Sequence, residues 1–496
     1  VYANYYQCYG ANAALTRLPT CFSPAVTWGD IVRNEHMTHE FRLSTPDDWR
    51  LRGILGAYWE ENKLFNQTDW LYKTIPNCTA TLTIGCMSNV GNAPGTTVTN
   101  PAVRNDNTAF YEDTLREVEQ TAFFVSVDFD LIPEVLTLTA GTRYFDFKNS
   151  IVGNVTSSFG CFEAGTPAGG CIAGANSLDA RNLRSTEDGF KSRANLTWHL
   201  RPDILLYATW SEGFRPGGFN RTGGPASKIY GPDGLPQFGI PVGYESDDLT
   251  NKEIGWKTMF LDNRLQFNGA LFEESWENVQ IDFFNPGETG NLTFTTNGQN
   301  FEIQGIEASI VAQVTQGLML EGVASWNDSE QTNSPSLINS NPASEGFGQP
   351  ITESCDSGTG DNCSPINNLF GPLGGPSANA PELQYSLRAR YEWLISDYDA
   401  FVQVGVTHTD ESFTQASANP SISEGGVNTT RLRFENPAYT AYDAAIGVGK
   451  DSWAVHLFGQ NLSDENVSLF TNTGQFVVAE TVLRPRVIGL KLSYKF

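Results

Sequence analysis

The chain has 496 residues, of which 40% are hydrophobic and 18% charged, and carries a formal net charge of −25. So acidic a balance leaves no basic stripe to replace phosphate counterions, which removes nucleic acid from the candidate partners. No run of about 18 apolar residues occurs, so no helix of this chain is built to cross a bilayer; strands, which meet lipid with every second residue, escape that test.

Period-two patterning predicts strands at 39–44, 49–64, 121–131, 135–148, 190–200, 204–214, 250–259, 264–281, 300–314, 318–327, 382–394, 400–410, 440–450, 453–461 and 486–496, fifteen in all. Every second connection is tight: Thr45-Pro46-Asp47-Asp48, Ile132-Pro133-Glu134, Arg201-Pro202-Asp203, Leu261-Asp262-Asn263, Thr315-Gln316-Gly317, Ser396-Asp397-Tyr398 and Asp451-Ser452. Proline presets φ there, and Asp, Asn and Gly tolerate or cap a reversal. The other connections are long, as at 65–120, 328–381 and 411–439. Antiparallel strands with one tight rim and one loop-bearing rim predict a transmembrane β-barrel with short periplasmic turns and long extracellular loops.

The alternation agrees. Leu136, Leu138, Ala140, Thr142 and Tyr144 share one face, and Thr137, Thr139, Gly141 and Arg143 the other. In the last strand Ile488, Leu490, Leu492, Tyr494 and Phe496 oppose Val487, Gly489, Lys491, Ser493 and Lys495. Aromatics gather near predicted strand ends, among them Trp49, Tyr207, Trp210, Trp393, Tyr398 and Trp453, as membrane-interface girdles require. A secreted all-β adhesin that never enters a bilayer is the rival of another class.

Eight cysteines fall into neighbouring couples: Cys8 with Cys21, Cys78 with Cys86, Cys161 with Cys171, and Cys355 with Cys363. Each couple sits in its own Gly/Asn/Ser/Thr-rich stretch on the long-loop rim, so local disulfides are expected, worth roughly 3 kcal/mol each by chain entropy, in an oxidising compartment. The couples lack zinc-ligand spacing, and no metal site is predicted. The acidic stretches at Asp247-Asp248 and from Asp356 to Asp361 lack the spacing of a calcium loop. No Gly-x-Ser-x-Gly, HExxH or phosphate loop occurs, and the adjacent Glu273 and Glu274 face opposite sides of one strand, so no catalysis and no cofactor are predicted.

A set of strings in fixed order gives a closer match. LLYATWSEGFRPGGFN (205–220) resembles a segment of TonB-dependent outer-membrane receptors. THEFRLS (38–44), LTLTAGTR (136–143), YESDDLTNKEIGWKT (244–258), GQNLSD (459–464) and RPRVIGLKLSYKF (484–496) resemble that family's other segments in its order. The resemblance implies a barrel of about 22 strands around a plug. Residues 1–36 would then be the end of a barrel strand with an extracellular loop, and 37–496 the C-terminal two-thirds of the barrel. Val1 has no signal-like segment behind it, and the plug and about seven strands are expected to lie outside this sequence. Tyr494 and Phe496 match the terminal aromatic signal read by the barrel assembly machinery.

The resemblance further implies uptake of a scarce solute across the outer membrane, driven by the TonB–ExbB–ExbD complex acting on the plug. A ferric siderophore is the foremost cargo; an oligosaccharide or cobalamin would use the same mechanism, and a plugless passive porin would share the fold. With five histidines and no haem-receptor loop string, haem is disfavoured. Loop-rim aromatics and polar or basic groups, Arg215, Asn220, Arg221, Tyr230, Tyr244, Trp276, Phe283 and Phe284, are the candidate ligand contacts. Arg215 and Glu253 are expected to form an ion pair bracing the inner wall or plug.

Overall fold

A computed structural model describes residues 8–9, 20–21, 26–72, 108–157, 176–220, 229–284, 293–356, 358–366, 370, 373–414, 434–472 and 479–495. Fifteen long strands pair in chain order in one antiparallel sheet. They are β1 (Val26–Ser44), β2 (Leu51–Tyr72), β3 (Thr108–Ile132), β4 (Leu136–Ser157), β5 (Leu183–Arg201), β6 (Ile204–Arg215), β7 (Asp247–Phe260) and β8 (Leu265–Phe284). Then follow β9 (Thr293–Gln313), β10 (Leu318–Gln331), β11 (Leu383–Ile395), β12 (Tyr398–Thr409), β13 (Tyr439–Lys450), β14 (Trp453–Gln460) and β15 (Val487–Tyr494). The two-residue strand Asn176–Ser177 adds to the upper part of β4. Among the described residues, β1 and β15 each have a partner on one side only.

The fifteen predicted strands are all present, and the tight turns stand where expected. Their reversals use left-handed backbone at Glu134, Ser396 and Asp451, and at three successive residues, Leu261, Asp262 and Asn263. Several strands continue well beyond their predicted upper ends. β3 starts at Thr108 rather than 121, β1 at Val26 rather than 39, and β2 runs to Tyr72 rather than 64.

Register fixes the two faces. Phe129 stands opposite Leu138, Leu138 opposite Leu196, Leu196 opposite Ala208, Ala208 opposite Ile254, Ile254 opposite Leu271, and Leu271 opposite Ile306. Further round, Leu387 faces Val406, Ile446 faces Leu457, and Leu457 faces Leu490. Directly opposed residues share a face, so these form one apolar belt. Among the described residues no second layer covers it: Ile254 is 64% exposed and Leu492 71%. Such a face suits hydrocarbon, the only solvent in which its exposure carries no hydrophobic cost.

On β3 the belt runs through Phe123, Val125, Val127, Phe129 and Leu131, about the nine-residue span of a tilted membrane strand. Above it the same face turns to Glu119 and Glu117, paired with Lys148 and Lys63. Near the tight rim, Tyr398 meets Trp453 edge-on and Tyr391 stacks on Trp393. Trp453 lies opposite Tyr494. Trp393, Tyr398 and Trp453 thus stand in the expected aromatic girdle, whereas Tyr207, expected with them, faces the inner wall, where its hydroxyl meets Glu253.

The other face is polar and cross-linked. Arg52 grips Asp130 through two bonds of 2.6 and 2.8 Å, and Thr137 donates to the same carboxylate. Arg388 pairs with Glu321, and the Arg390 guanidinium lies 3.7 Å from the Phe401 ring centre. Ion pairs along this wall satisfy one another across neighbouring strands, as an occluded, wet interior requires.

Candidate ligand-binding mouth

At the upper end of the inner wall, register sets Arg215, the last residue of β6, opposite Asp247, the first of β7. Asp247 is 1% exposed. Its carboxylate accepts the Arg215 Nε–H at 2.8 Å, a close bond from Arg215 Nη2, and the backbone N–H groups of Arg215 and Gln280 at 3.2 and 3.1 Å. With this many donors converging on one carboxylate, its fork-on geometry fixes the guanidinium plane. Arg215 Nη2 also donates to the Gln280 carbonyl at 3.0 Å. Gln280 in return donates its amide to the carbonyls of Arg215, Pro216 and Glu245.

Thus held, the guanidinium carbon lies 4.9 Å from the centre of the Trp276 ring, and Trp276 contacts Phe301 at 6.5 Å. Trp276 immediately precedes a register shift in β8, where Asn278 adopts φ 54°. A bulge of this kind re-aims side chains at the rim of a barrel. The Arg215 side chain stays half exposed, which leaves one edge of the cation open to a solute.

The remaining candidates divide. Asn220 is buried and clamps two segments: its amide donates to the carbonyls of Pro241 and Thr295, and its carbonyl accepts the Thr295 N–H at 2.7 Å. Tyr244 pairs with Gly218 in a short ribbon beside it. Tyr230 joins a loop assembly through bridges to Pro236 and Cys355. Phe283 and Phe284 end β8 opposite Phe294 and Thr293; their side chains, and all of Arg221, lie outside the described residues. The contact that brings two candidates together is therefore Arg215 on Trp276. Asp247, Gln280 and Phe301 are not among the candidates read from sequence: period two predicts β7 only from residue 250 and leaves Asp247 in a loop, while Gln280 and Phe301 fall within predicted strands and reach the site only through register.

The expected Arg215–Glu253 pair does not form. Glu253 lies opposite Thr209, well along β7 from Asp247. The six-residue offset amounts to about 20 Å at the rise of a strand. The Glu253 carboxylate instead accepts the Tyr207 hydroxyl. There it lines a cleft of about 800 Å³ on the inner wall with Tyr207, Lys257, Glu274 and Glu307.

Of the expected disulfides, Cys355–Cys363 is formed. Cys8 lies directly opposite Cys21 in a two-residue ribbon. Cys78, Cys86, Cys161 and Cys171, like Phe496, lie outside the described residues.

An open-faced apolar belt outside, a polar wall inside and one loop-bearing rim define a membrane-spanning β-barrel wall. The family model described as TonB dependent receptor-like, beta-barrel matches residues 2–462, and the chain belongs to that family of receptors and transporters. Among solved structures it is similar to the ferric yersiniabactin uptake receptor FyuA from Yersinia pestis, with TM-score 0.61 and 12% identity over 96% of this chain and 56% of that one. It is similar also to the siderophore receptor PiuA from Acinetobacter baumannii, with TM-score 0.56 and 18% identity over 94% and 56%. A third is the ferric-catecholate import receptor Fiu from E. coli K12, with TM-score 0.56 and 15% identity over 94% and 55%. These likenesses are of fold. The chain spans just over half the length of each.

Proposed function

We propose that this chain is the greater part of the barrel wall of a TonB-dependent importer in the bacterial outer membrane, and that its cargo is a ferric siderophore. In this reading further strands complete the cylinder, because an unpaired sheet edge is not tolerated in hydrocarbon. A plug fills the polar interior and couples to the TonB–ExbB–ExbD complex. The barrel assembly machinery inserts the wall by its terminal strand, in which Tyr494 and Phe496 serve as the signal. Family membership supports transport, and the relatives named above as receptors of ferric siderophores support the cargo class.

One observation carries the choice of cargo. Arg215, fixed by Asp247 over Trp276, offers a cation and a π-face at one point of the mouth. That combination suits a negatively charged chelate with aromatic ligand groups. Asn220, Arg221, Tyr230, Tyr244, Phe283 and Phe284 are proposed to shape the surrounding vestibule.

The test is uptake of radioactive iron by a receptor-deficient host expressing the full-length protein, supplied with ferric catecholates, hydroxamates and citrate. Energised cells should accumulate one class, and cells lacking TonB should not. Trp276→Ala should weaken binding about tenfold, equivalent to about 1.4 kcal/mol. Entry of cobalamin or an oligosaccharide with no ferric chelate taken up would overturn the cargo, and uptake without TonB would overturn the mechanism.

A further inference from the structure

On the long rim, described residues of the 216–246 loop between β6 and β7 pack on described residues of the 332–382 loop between β10 and β11. Their shared core buries Ile229, Phe238, Ile240, Leu337, Ile351 and Phe370. Phe294 belongs to the same core and to β9, and its ring centre lies 5.9 Å from that of Phe238. The core therefore sits on the barrel itself. Packing these large apolar side chains together removes them from water, and that hydrophobic gain holds the two loops against each other.

Polar bonds stitch the two loops along the core's edge. The Cys355 N–H donates to the Tyr230 carbonyl at 2.9 Å, the Gly358 N–H to Gly234 at 3.0 Å, and the Ser340 N–H to Gln237 at 2.9 Å. The buried Gln237 amide donates to the Tyr230 and Glu353 carbonyls, one on each loop. Asp233 accepts the N–H of Leu235 within its own loop and of Glu345 from the other. The Cys355–Cys363 disulfide closes the segment that grips the 231–235 turn. Gly360 rests against that turn at φ +71°, where a Cβ would overlap the Pro232 carbonyl.

We infer that these two loops are one folded cap, locked by the clasp between residues 230–235 and 355–363, so that they open together or not at all. Each loop closes a different hairpin of the barrel, and among the described residues the cluster of Ile229, Phe238 and Ile240 is completed by Leu337, Ile351 and Phe370 of the other loop. A solute that enters past this part of the rim moves the pair as a body or leaves both in place. A loop that moved alone would expose Phe238, Ile240 and Phe370 to water at once.

Hydrogen exchange with mass spectrometry on the full-length protein in detergent tests this, using Cys355→Ser with Cys363→Ser as one variant and Gly360→Ala as another. Both lesions lie in the later loop. The expected result is a rise of at least tenfold in exchange of peptides covering 229–240 in the earlier loop, matched in 337–351, with 398–409 in the barrel unchanged. Should either variant fail to assemble, Asp233→Ala, a lesion in the earlier loop, should deprotect 337–351 in the same way. Exchange that rises only in the mutated loop, or in neither, overturns the inference.

Discussion

The buried carboxylate at the mouth, not the arginine above it, is the residue on which the site depends. Asp247 holds Arg215 and two backbone amides, so Asp247→Ala strips partners from all of them, whereas Arg215→Ala leaves Asp247 its backbone donors. Charge-assisted bonds contribute about 1.5–3 kcal/mol each, and the half-exposed arginine stands at the low end. Asp247→Ala should therefore raise hydrogen exchange at Gln280 by at least tenfold, and Arg215→Ala should raise it less; the reverse order would show that the arginine organises the mouth. Asp233 allows a pH prediction. The backbone N–H of Leu235, then the Ser344 hydroxyl and the Glu345 N–H, hold its carboxyl below the usual range. A depressed folded value means that its stabilisation is complete above the unfolded value of about 3.9 and is lost as pH falls through the folded one. Peptides 229–240 and 337–351 should keep their protection from neutral pH to about pH 4 and lose part of it below, after correction for intrinsic exchange; Asp233→Asn should flatten that dependence.

At the scale of the strand, the prediction is a contrast between neighbours. Leu490 lies opposite Leu457 in the outer belt, and Lys491 lies opposite His456 on the inner face. Leu490→Arg should cost roughly 2–4 kcal/mol near mid-bilayer and depress the yield of heat-modifiable barrel, while Lys491→Leu should leave assembly near normal. Equal effects would mean that the faces are not segregated. The same alternation makes all fifteen strands legible, because inside the bilayer only one face of a strand is apolar. Above the bilayer both faces meet water, period two vanishes, and the wall reads as a loop. Hence the stretch 65–120 reads as loop throughout, yet Asn62 to Leu71 of β2 pair with Val118 to Thr108 of β3. The mouth suffers the same loss: Arg215 and Trp276 stand out by residue type, but Asp247 becomes their organiser only through register. The cap is invisible for a different reason. Its core joins Ile229 to Phe370 across well over a hundred residues, and no local period reports such a contact.

For the whole molecule, the wall is taller than the hydrocarbon layer it crosses. The strand β3 has 25 residues. At the rise of a strand that is a length of about 80 Å, or about 60 Å of height at the usual strand tilt of about 35–45°. The hydrocarbon layer of a bilayer is only about 30 Å thick. The apolar belt lies at the tight-turn end, so the excess must rise on the loop side as a water-washed collar that carries the cap and the mouth. The collar begins where outward residues change from Phe123 to Glu119 and Glu117, the latter 44% exposed and within 3.9 Å of Lys63. Cysteines placed at Glu117 and Val127, on one face of one strand and about 33 Å apart by strand rise, should report this boundary. A membrane-impermeant maleimide applied to intact cells should label Glu117→Cys strongly and Val127→Cys no more than the parent protein. Protection of both positions would place the collar on the periplasmic side and invert the molecule in the membrane. Equal labelling of both would remove β3 from the bilayer, and with it the reading of the belt as a lipid-facing surface.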